Sequence, residues 1–438
     1  MRLSQYFLPL LKEEPKEAQI ASHRLMLRAG MVHQEVAGIY SWLPLGLSVL
    51  DHVERIVAEE LDKAGCVRVL MPTLQPTDLW KESGRYDALG KEMLRFKDRA
   101  DRELLYSPTC EEMIVNIFRN FVRSYKQLPV NLYQIQWKFR DEVRPRFGVM
   151  RGREFLMKDG YSFHTTIEDA QREYKSMYAA YHRIFRRLGL VSIAVTADSG
   201  AIGGSMSHEF QVLAETGESA VYYDATFDDI RAGKVTKTDE EMRALYAAAD
   251  ELHVPETCPI PADRLRTARG IEVGHIFLLG SKYTDAMNVN VMGDAGKDVR
   301  VQMGTYGIGV SRLVGAIIEA GHDENGIIWP EAVAPFDAGV INLRSGDAAC
   351  DALSEQLYEG LQRAGLKPLY DDTDQRGGAK FAGMDLIGLP WQLTVGPRGA
   401  ASGTVEMKYR RTGEKSELSL EAAIARVSEQ RTKMTTVA

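Results

Sequence analysis

Several things are missing from this 438-residue chain, and each absence closes off a class of function. No run approaches the roughly 20 uncharged apolar residues that span a bilayer. The four cysteines, Cys66, Cys110, Cys258 and Cys350, stand far apart, with no CxxC pair and no histidine at zinc-ligand spacing. Neither a disulfide framework nor a structural zinc site is therefore expected. No GxxxxGKS/T segment occurs, which excludes a P-loop as a nucleotide site. The opening MRLSQYFLPLLKEEPKEA has a short apolar run but neither a basic leader nor a small-residue cleavage site. The expectation is a cytoplasmic protein without a membrane partner. Internal repeats and low-complexity runs are absent too.

What is present is ordinary in bulk: 45% hydrophobic and 26% charged residues, enough for a normal core. The length fits two or three domains. The net charge of −7 announces no nucleic-acid binder, but phosphate binding needs a local positive face rather than a positive total. Between Trp137 and Lys158 lie Lys138, Arg140, Arg144, Arg146, Arg151, Arg153 and Lys158, against Asp141, Glu142 and Glu154. On charge alone, a solvated hairpin and a phosphate-binding loop fit equally.

Periodicity divides the chain into three regions. Leu47, Leu50, Val53, Val57 and Leu61 recur at helical spacing, and Gly65 offers a stop. A β-rich run at 66–71 ends at Pro72. Tyr133, Ile135, Trp137 and Phe139 alternate with polar residues, predicting a strand with one apolar and one polar face. The stretch 225–270 is polar and then proline-rich and reads as a surface insertion, after which strands at 274–279 and 298–303 return to the first region. Beyond the proline-punctuated 329–335, strand and helix alternate through a small α/β domain.

Arg140 and Glu142, two apart, are expected on one face of a strand, with Phe155 close by on an antiparallel return strand. That set suits a bent ATP. Arg140 would fork onto the α-phosphate and Arg151 would meet the outer phosphates; Glu142 would meet the adenine amino group, and Phe155 would lie beneath the ring. Arg312, after the small glycines Gly304, Gly307 and Gly309, could cover the other face of the base. Read singly, each arginine fits a surface ion pair, worth about 0–1 kcal/mol, better than a phosphate contact.

Taken jointly, these residues resemble a known family. FRDE at 139–142 with RxxxFxxxD at 151–159 resembles motif 2 of the class II aminoacyl-tRNA synthetases, and GIGVSR at 307–312 resembles their motif 3. The helix and strand from Gly46 to Pro72 resemble motif 1, which builds the dimer interface in that class. SPTCEE (107–112), GREFLMKDGYSFH (152–164), IGGSMSHEF (202–210) and GIEVGHIFLLGSKYT (270–284) are similar to the bacterial prolyl-tRNA synthetases. Over essentially the whole chain the resemblance holds, and DDTDQRGGAKF at 371–381 fits its anticodon-binding domain.

The resemblance implies a mixed α/β fold: a class II core over 1–330, an antiparallel sheet flanked by helices, and an α/β anticodon-binding domain over 331–438. The 225–270 stretch would be a remnant in place of the editing domain of the long bacterial form. Proline would be bound by Thr109, Glu111, Arg140 and Asp159, with Ser205 and His208 nearby and Tyr161 and Phe163 as apolar walls. ATP would meet Arg140, Glu142, Arg151 and Phe155, then Gln302, Thr305, Gly309 and Arg312. The tRNA acceptor end would pass Arg144, Arg146 and Arg153, and Arg140 would be the catalytic residue. ATP, L-proline and tRNA(Pro) are the implied substrates, Mg2+ entering with ATP; the protein itself is expected to hold no metal. A homodimer and a separate trans-editing protein are the implied partners. Ser311 stands where the class often has an acid, which leaves the magnesium ligands unassigned.

Local alternatives remain at individual positions. Glu111 and Glu112 could simply occupy the first turn of a helix capped by Ser107 or Thr109. His208 could be a chance histidine in a flexible loop, and Tyr161 and Phe163 ordinary core. Cys110 is assigned no catalytic role. Threonyl, glycyl and histidyl synthetases share the general motifs, but SPTCEE and GGSMSHEF argue against them. A catalytically dead relative would be expected to lose Arg140, Glu142, Phe155 or Arg312, and all four are present.

Overall fold

In the computed structural model, which describes residues 1–294 and 296–437, the first three-quarters of the chain wrap one large sheet. Helix α1 (Ala21–Arg28) leads into α2 (Pro44–Lys63), whose proline sits in the first turn, where its missing N–H costs nothing. Val49, Leu50, Val53, Ile56, Val57 and Leu61 make its buried stripe. Gly65 ends this helix at φ +85°, a left-handed stop as the sequence suggests. The run at 66–71, expected to be a strand, is a strand only over β1 (Val67–Arg68); beyond the Val69 N–H on the Tyr133 carbonyl, the Met71 backbone is held by the side chains of Gln134 and Gln136 instead of by ladder bonds.

Eight more strands complete the sheet: β2 (Val130–Phe139), β3 (Glu154–His164), β4 (Ser192–Thr196), β5 (Met206–Leu213), β6 (Ser219–Asp224), β7 (Ala247–Ala249), β8 (Leu265–Gly280) and β9 (Gln302–Ile308). Their order is β5-β4-β7-β6-β8-β9-β3-β2-β1, and β5 also pairs with β8. Pairing is antiparallel except for β4 with β7 and β1 with β2.

One face of this sheet is covered by α4 (Ile167–Arg187), which follows α3 (Glu111–Phe121) in the chain. Tyr174, Tyr178, Tyr181 and Phe185, three and four apart, bury themselves against Phe210 and its neighbours. The other face carries polar side chains. The polar side of β2 does not face water: Gln134, Gln136 and Lys138 are all buried. Burying them is tolerable because each has a polar partner, as shown below.

The 225–270 stretch is not only a surface segment. Two six-residue helices (Thr226–Arg231 and Asp239–Ala244) lead into β7, which lies between β4 and β6 inside the sheet. Phe227, Met242, Ala247 and Ala249 share a small apolar cluster with Ile193 and Val221. Three consecutive alanines are slim enough to fill that slot. After β8 come the short helix α5 (Lys282–Ala286) and, beyond β9, α6 (Val310–Ala320).

The C-terminal part has its own five-stranded sheet from β10 (Ala338–Asn342), β11 (Pro368–Asp371), β12 (Trp391–Val395), β13 (Thr404–Tyr409) and β14 (Lys415–Ser419), in the order β11-β10-β12-β13-β14. Helices α7 (Ala348–Arg363) and α8 (Gly377–Ile387) pack on it. Several contacts join this part to the rest, among them the Trp329 indole N–H on the Ile387 carbonyl at 2.8 Å and a core shared by Ile327, Met384 and Leu386. Arg410 makes a bidentate pair with Asp323 at 2.7 and 2.6 Å, and Arg2 reaches Glu355 while bridging to Tyr370 beside β11.

Candidate active site

The registers of β2, β3, β9 and β8 decide which side chains meet. Asp159 lies opposite Gln134 and Gly307, Thr305 lies opposite Tyr161 and Phe277, and His275 lies opposite Gly307. Alternation therefore gathers residues of four strands over one cavity of about 410 Å³. Thr109, Glu111, Arg140, Glu142, Arg151, Phe155, Asp159, Thr305, Gly309 and Arg312 all line it.

One end of the cavity is acidic. Glu111 sits in the first turn of α3, where the helix dipole favours a carboxylate. Its Oε2 accepts from the Thr109 hydroxyl at 2.6 Å, and its Oε1 from the Thr305 hydroxyl at 3.1 Å. Arg85 lies 3.2 Å from Glu111 and 3.0 Å from Glu112, and all three side chains are buried. The guanidinium also lies over the rings of Trp80 and Tyr283. Burial pushes the Glu112 carboxyl up while Arg85 pulls it down, and the net direction is up. With both carboxylates ionised, two negative charges face one positive charge, so this end is complementary to a single cation.

Beneath it lies a second buried pair, Lys138 and Asp159 at 2.9 Å. Asp159 also accepts from Gln134 at 3.0 Å and from the Tyr161 hydroxyl at 2.9 Å. That same hydroxyl accepts the Cys110 N–H at 2.9 Å, which fixes the turn into α3. The Cys110 thiol is pushed up to about 12 by burial and lies among Ser107, Gln75 and Gln134, so it is no nucleophile.

The opposite end is cationic. Arg140 does not lie on the β2 strand with Glu142; β2 ends at Phe139, and Arg140 starts the loop, held by its N–H on the Arg153 carbonyl at 2.9 Å. Its Nε donates to the Pro108 carbonyl at 3.2 Å, and its guanidinium lies 5.4 Å from the Phe155 ring centroid. Among the described residues it makes no ion pair, and burial together with Arg312 lowers its pKa. Arg312, in the first turn of α6, donates to the carbonyls of Met150 and Glu272, each at 2.9 Å. Arg151 bridges Glu142 at 3.0 Å and Glu218 at 3.1 Å, and Glu218 also holds Arg146 at 2.6 Å.

Several expected residues lie elsewhere. His208 points to the other face of the sheet, where it meets the Tyr174 hydroxyl at 2.6 Å and burial lowers its pKa to about 4. Strand parity is the reason: on β5 it is Ser207 and Glu209 that face the same side as His275. Ser207 pairs with the His275 ring at 2.6 Å. Phe163 stacks on Phe118 in the core, and Tyr161 supports the floor without reaching the cavity. Ser205 is exposed and donates its N–H to the Leu278 carbonyl, and Gln302 sits at the start of β9 opposite His164, outside the cavity. Arg144 is exposed on the loop; Arg153 is engaged by Asp141 at 2.6 Å.

Sequence reasoning missed Arg85 and Lys138 as site residues, as well as the trio Glu209, Glu272 and His275. The trio's ligand atoms lie within 4.8 Å of one another beside Arg312. Burial and Glu272 raise the Glu209 carboxyl to about 7; Glu272, half-exposed, is held low by His275 and the two arginines. The Ser311 hydroxyl is tied to the Leu156 backbone at 3.1 Å.

Residues 94–321 match the family described as tRNA synthetase class II core domain (G, H, P, S and T), and 337–430 match the anticodon binding domain family. Fold and cavity together thus define a class II tRNA synthetase core joined to an anticodon-binding domain. A protein from Parvibaculum lavamentivorans named proline–tRNA ligase is 61% identical over 98% of this chain and 100% of its own. One of the same name from Caulobacter sp. (strain K31) is 60% identical over 98% of this chain and 99% of its own. The chain belongs to the proline–tRNA ligase family. Its fold is shared with a prolyl-tRNA synthetase from Cryptosporidium parvum solved with L-proline and AMP, at a TM-score of 0.74 and 15% identity, covering 97% of this chain and 78% of that one.

Removing Arg85 would leave two carboxylates buried together. Arg85→Met is expected to lose about 3–5 kcal/mol of stability at pH 7 in urea denaturation. The freed carboxyls would then titrate above their unfolded range of about 4.3, so the loss should shrink steadily as pH falls toward about 4. A loss that does not change with pH would contradict the assignment.

Proposed function

We propose that the chain activates L-proline with ATP to prolyl-adenylate and transfers the prolyl group to the 3′ end of tRNA(Pro), releasing pyrophosphate and AMP. The observation that carries this reading is the polarity of one cavity: Glu111 with Arg85 and Glu112 at one end, Arg140 and Arg312 at the other. Proline's secondary ammonium, with two N–H donors, suits the acidic end, since leaving one buried and unpaired costs about 1–3 kcal/mol or more. Its carboxylate would then point toward Arg140.

In this reading a carboxylate oxygen attacks the α-phosphorus, and pyrophosphate leaves with the electron pair of the broken P–O bond. Arg140 bridges carboxylate and α-phosphate as negative charge gathers between them, so its part is positioning and charge stabilisation rather than proton transfer. Phe155 and Arg312 take the two faces of adenine, and Thr305 and Gly309 line its approach. Arg151 exchanges Glu218 for the outer phosphates. A terminal ribose hydroxyl of the tRNA then attacks the prolyl carbonyl, and AMP departs.

Magnesium is read as part of the nucleotide substrate. Oxygen donors suit a hard cation, so Glu209 and Glu272 are the residues that would hold it, with His275 alongside. When bound it would neutralise phosphate charge. Arg144, Arg146 and Arg153 are proposed to guide the tRNA acceptor end, and the 337–430 domain to read splayed anticodon bases. A homodimer, acting in the cytoplasm, would use the edge strand β1 and the segment after it, where Val67 and Leu70 are exposed.

Amino-acid-dependent pyrophosphate exchange tests the assignment. Arg140→Ala should lower proline-dependent exchange by about 100-fold or more, on the scale of losing one charge-stabilising donor. Near-wild-type exchange would reject it. Alanine and cysteine differ from proline by little apolar surface, worth about 10–200-fold in selection. The pure enzyme should therefore activate both measurably. With 225–270 folded as two short helices and a strand rather than an editing domain, it should hydrolyse Ala-tRNA poorly, leaving correction to a separate protein. Efficient hydrolysis by the pure enzyme would overturn that part.

A further inference from the structure

The loop 198–205 between β4 and β5 crosses the cavity end that holds Glu111, and only Ile202 of that loop lines the cavity. Its path is tight. Gly204 has φ +125°, and a Cβ there would stand 2.5 Å from the Leu278 carbonyl oxygen. Gly203 has φ +79°, and a Cβ there would stand 2.6 Å from the Lys282 Nζ.

Lys282, the first residue of α5, is not a cavity residue. Its ammonium donates to the Ala201 carbonyl at 3.0 Å and to the Ile202 carbonyl at 2.8 Å. The neighbouring Tyr283 hydroxyl donates to the Ile202 carbonyl at 3.2 Å. The Tyr283 ring in turn lies 5.3 Å from the Arg85 guanidinium, which grips Glu111. A continuous line of contacts thus runs from the carboxylate proposed to bind the ammonium to the apolar wall beside it. Among the described residues Lys282 makes no ion pair; its ammonium is directed to the two loop carbonyls and lies 5.7 Å from the Tyr283 ring centroid.

We infer that Lys282 is a positioning residue for amino-acid selection: by fixing the carbonyls of 201 and 202 it holds Ile202 against the ring of the bound amino acid. This rests on the proposed proline site and deepens it. A loosened Ile202 weakens contact with a ring more than contact with a methyl group, so affinity for proline and preference over alanine should fall together. ATP, held at the arginine end, should be unaffected.

The test is pyrophosphate exchange with Lys282→Met, which keeps the stem and removes the donors, beside Lys282→Arg, which keeps donors for both carbonyls. Lys282→Met should raise the KM for proline about 10-fold and narrow the proline-to-alanine ratio of kcat/KM, with kcat and the KM for ATP within about 2-fold of wild type. Lys282→Arg should recover most of the loss. An unchanged KM for proline, an equal rise in the KM for ATP, or no recovery with arginine would overturn the inference. Failure of the underlying site reading would look different: the wild-type protein itself would show no proline-dependent exchange.

Discussion

A carboxylate buried without a partner costs several kcal/mol, yet a pocket for an ammonium must offer one that is not wholly neutralised. Arg85 is shared between Glu111 and Glu112, so that with both carboxylates ionised one negative charge is left over inside a buried hydrogen-bonded network. Thr109 and Thr305 complete the shell of Glu111, and Ser83 adds a bond to Glu112 at 2.8 Å. Were Arg85 paired with one carboxylate alone, the site would have no charge to offer a prolinium ion. The acidic end of the cavity follows from that two-to-one count, and the proposed orientation of the substrate rests on it.

At the opposite pole Arg140 has no such partner among the described residues. Arg140 is held by a carbonyl and an aromatic face rather than by a carboxylate, and its neighbour Arg312 lowers its pKa further. Arg140, with no ion pair among the described residues, beside Arg312, whose carboxylate partner Glu272 stands 3.7 Å away, makes a cationic end suited to an anion. Between the poles the floor stays low because glycines stand where side chains would rise: a Cβ at Gly307 would come within 2.7 Å of the Met157 methyl. Register, more than any single residue, holds the poles apart and facing one cavity. A one-residue slip of β3 against β2 would turn Phe155 and Asp159 toward α4.

Much of this was legible in the sequence, for reasons that differ by residue. FRDE, RxxxFxxxD and GIGVSR are local patterns, so Arg140, Phe155 and Arg312 could be placed together before any fold was known. Gly65 and most of the apolar stripe of α2 were readable from helical period, but Leu47, counted in the stripe, is exposed, and Val49 and Ile56, left out of it, are buried. Arg85 was not, because it lies in a loop without a pattern and acquires its role only when the 83–86 turn packs against α3. His208 was chosen over Ser207 and Glu209 because strand parity cannot be assigned until a pairing partner is fixed. The alanines of β7 carry too little hydrophobic signal to reveal that they enter the sheet.

The two-pole cavity predicts that its ends can be titrated separately. Equilibrium binding of ATP alone, and of a non-hydrolysable prolyl-adenylate analogue, should be compared between the wild-type protein and Glu111→Gln. The analogue should weaken by about 10-fold or more, since a charge-assisted contact to its ammonium is lost, while ATP stays within about 2-fold. Equal weakening of both ligands, or undiminished binding of the analogue, would contradict the division of the site into an ammonium pole and a phosphate pole.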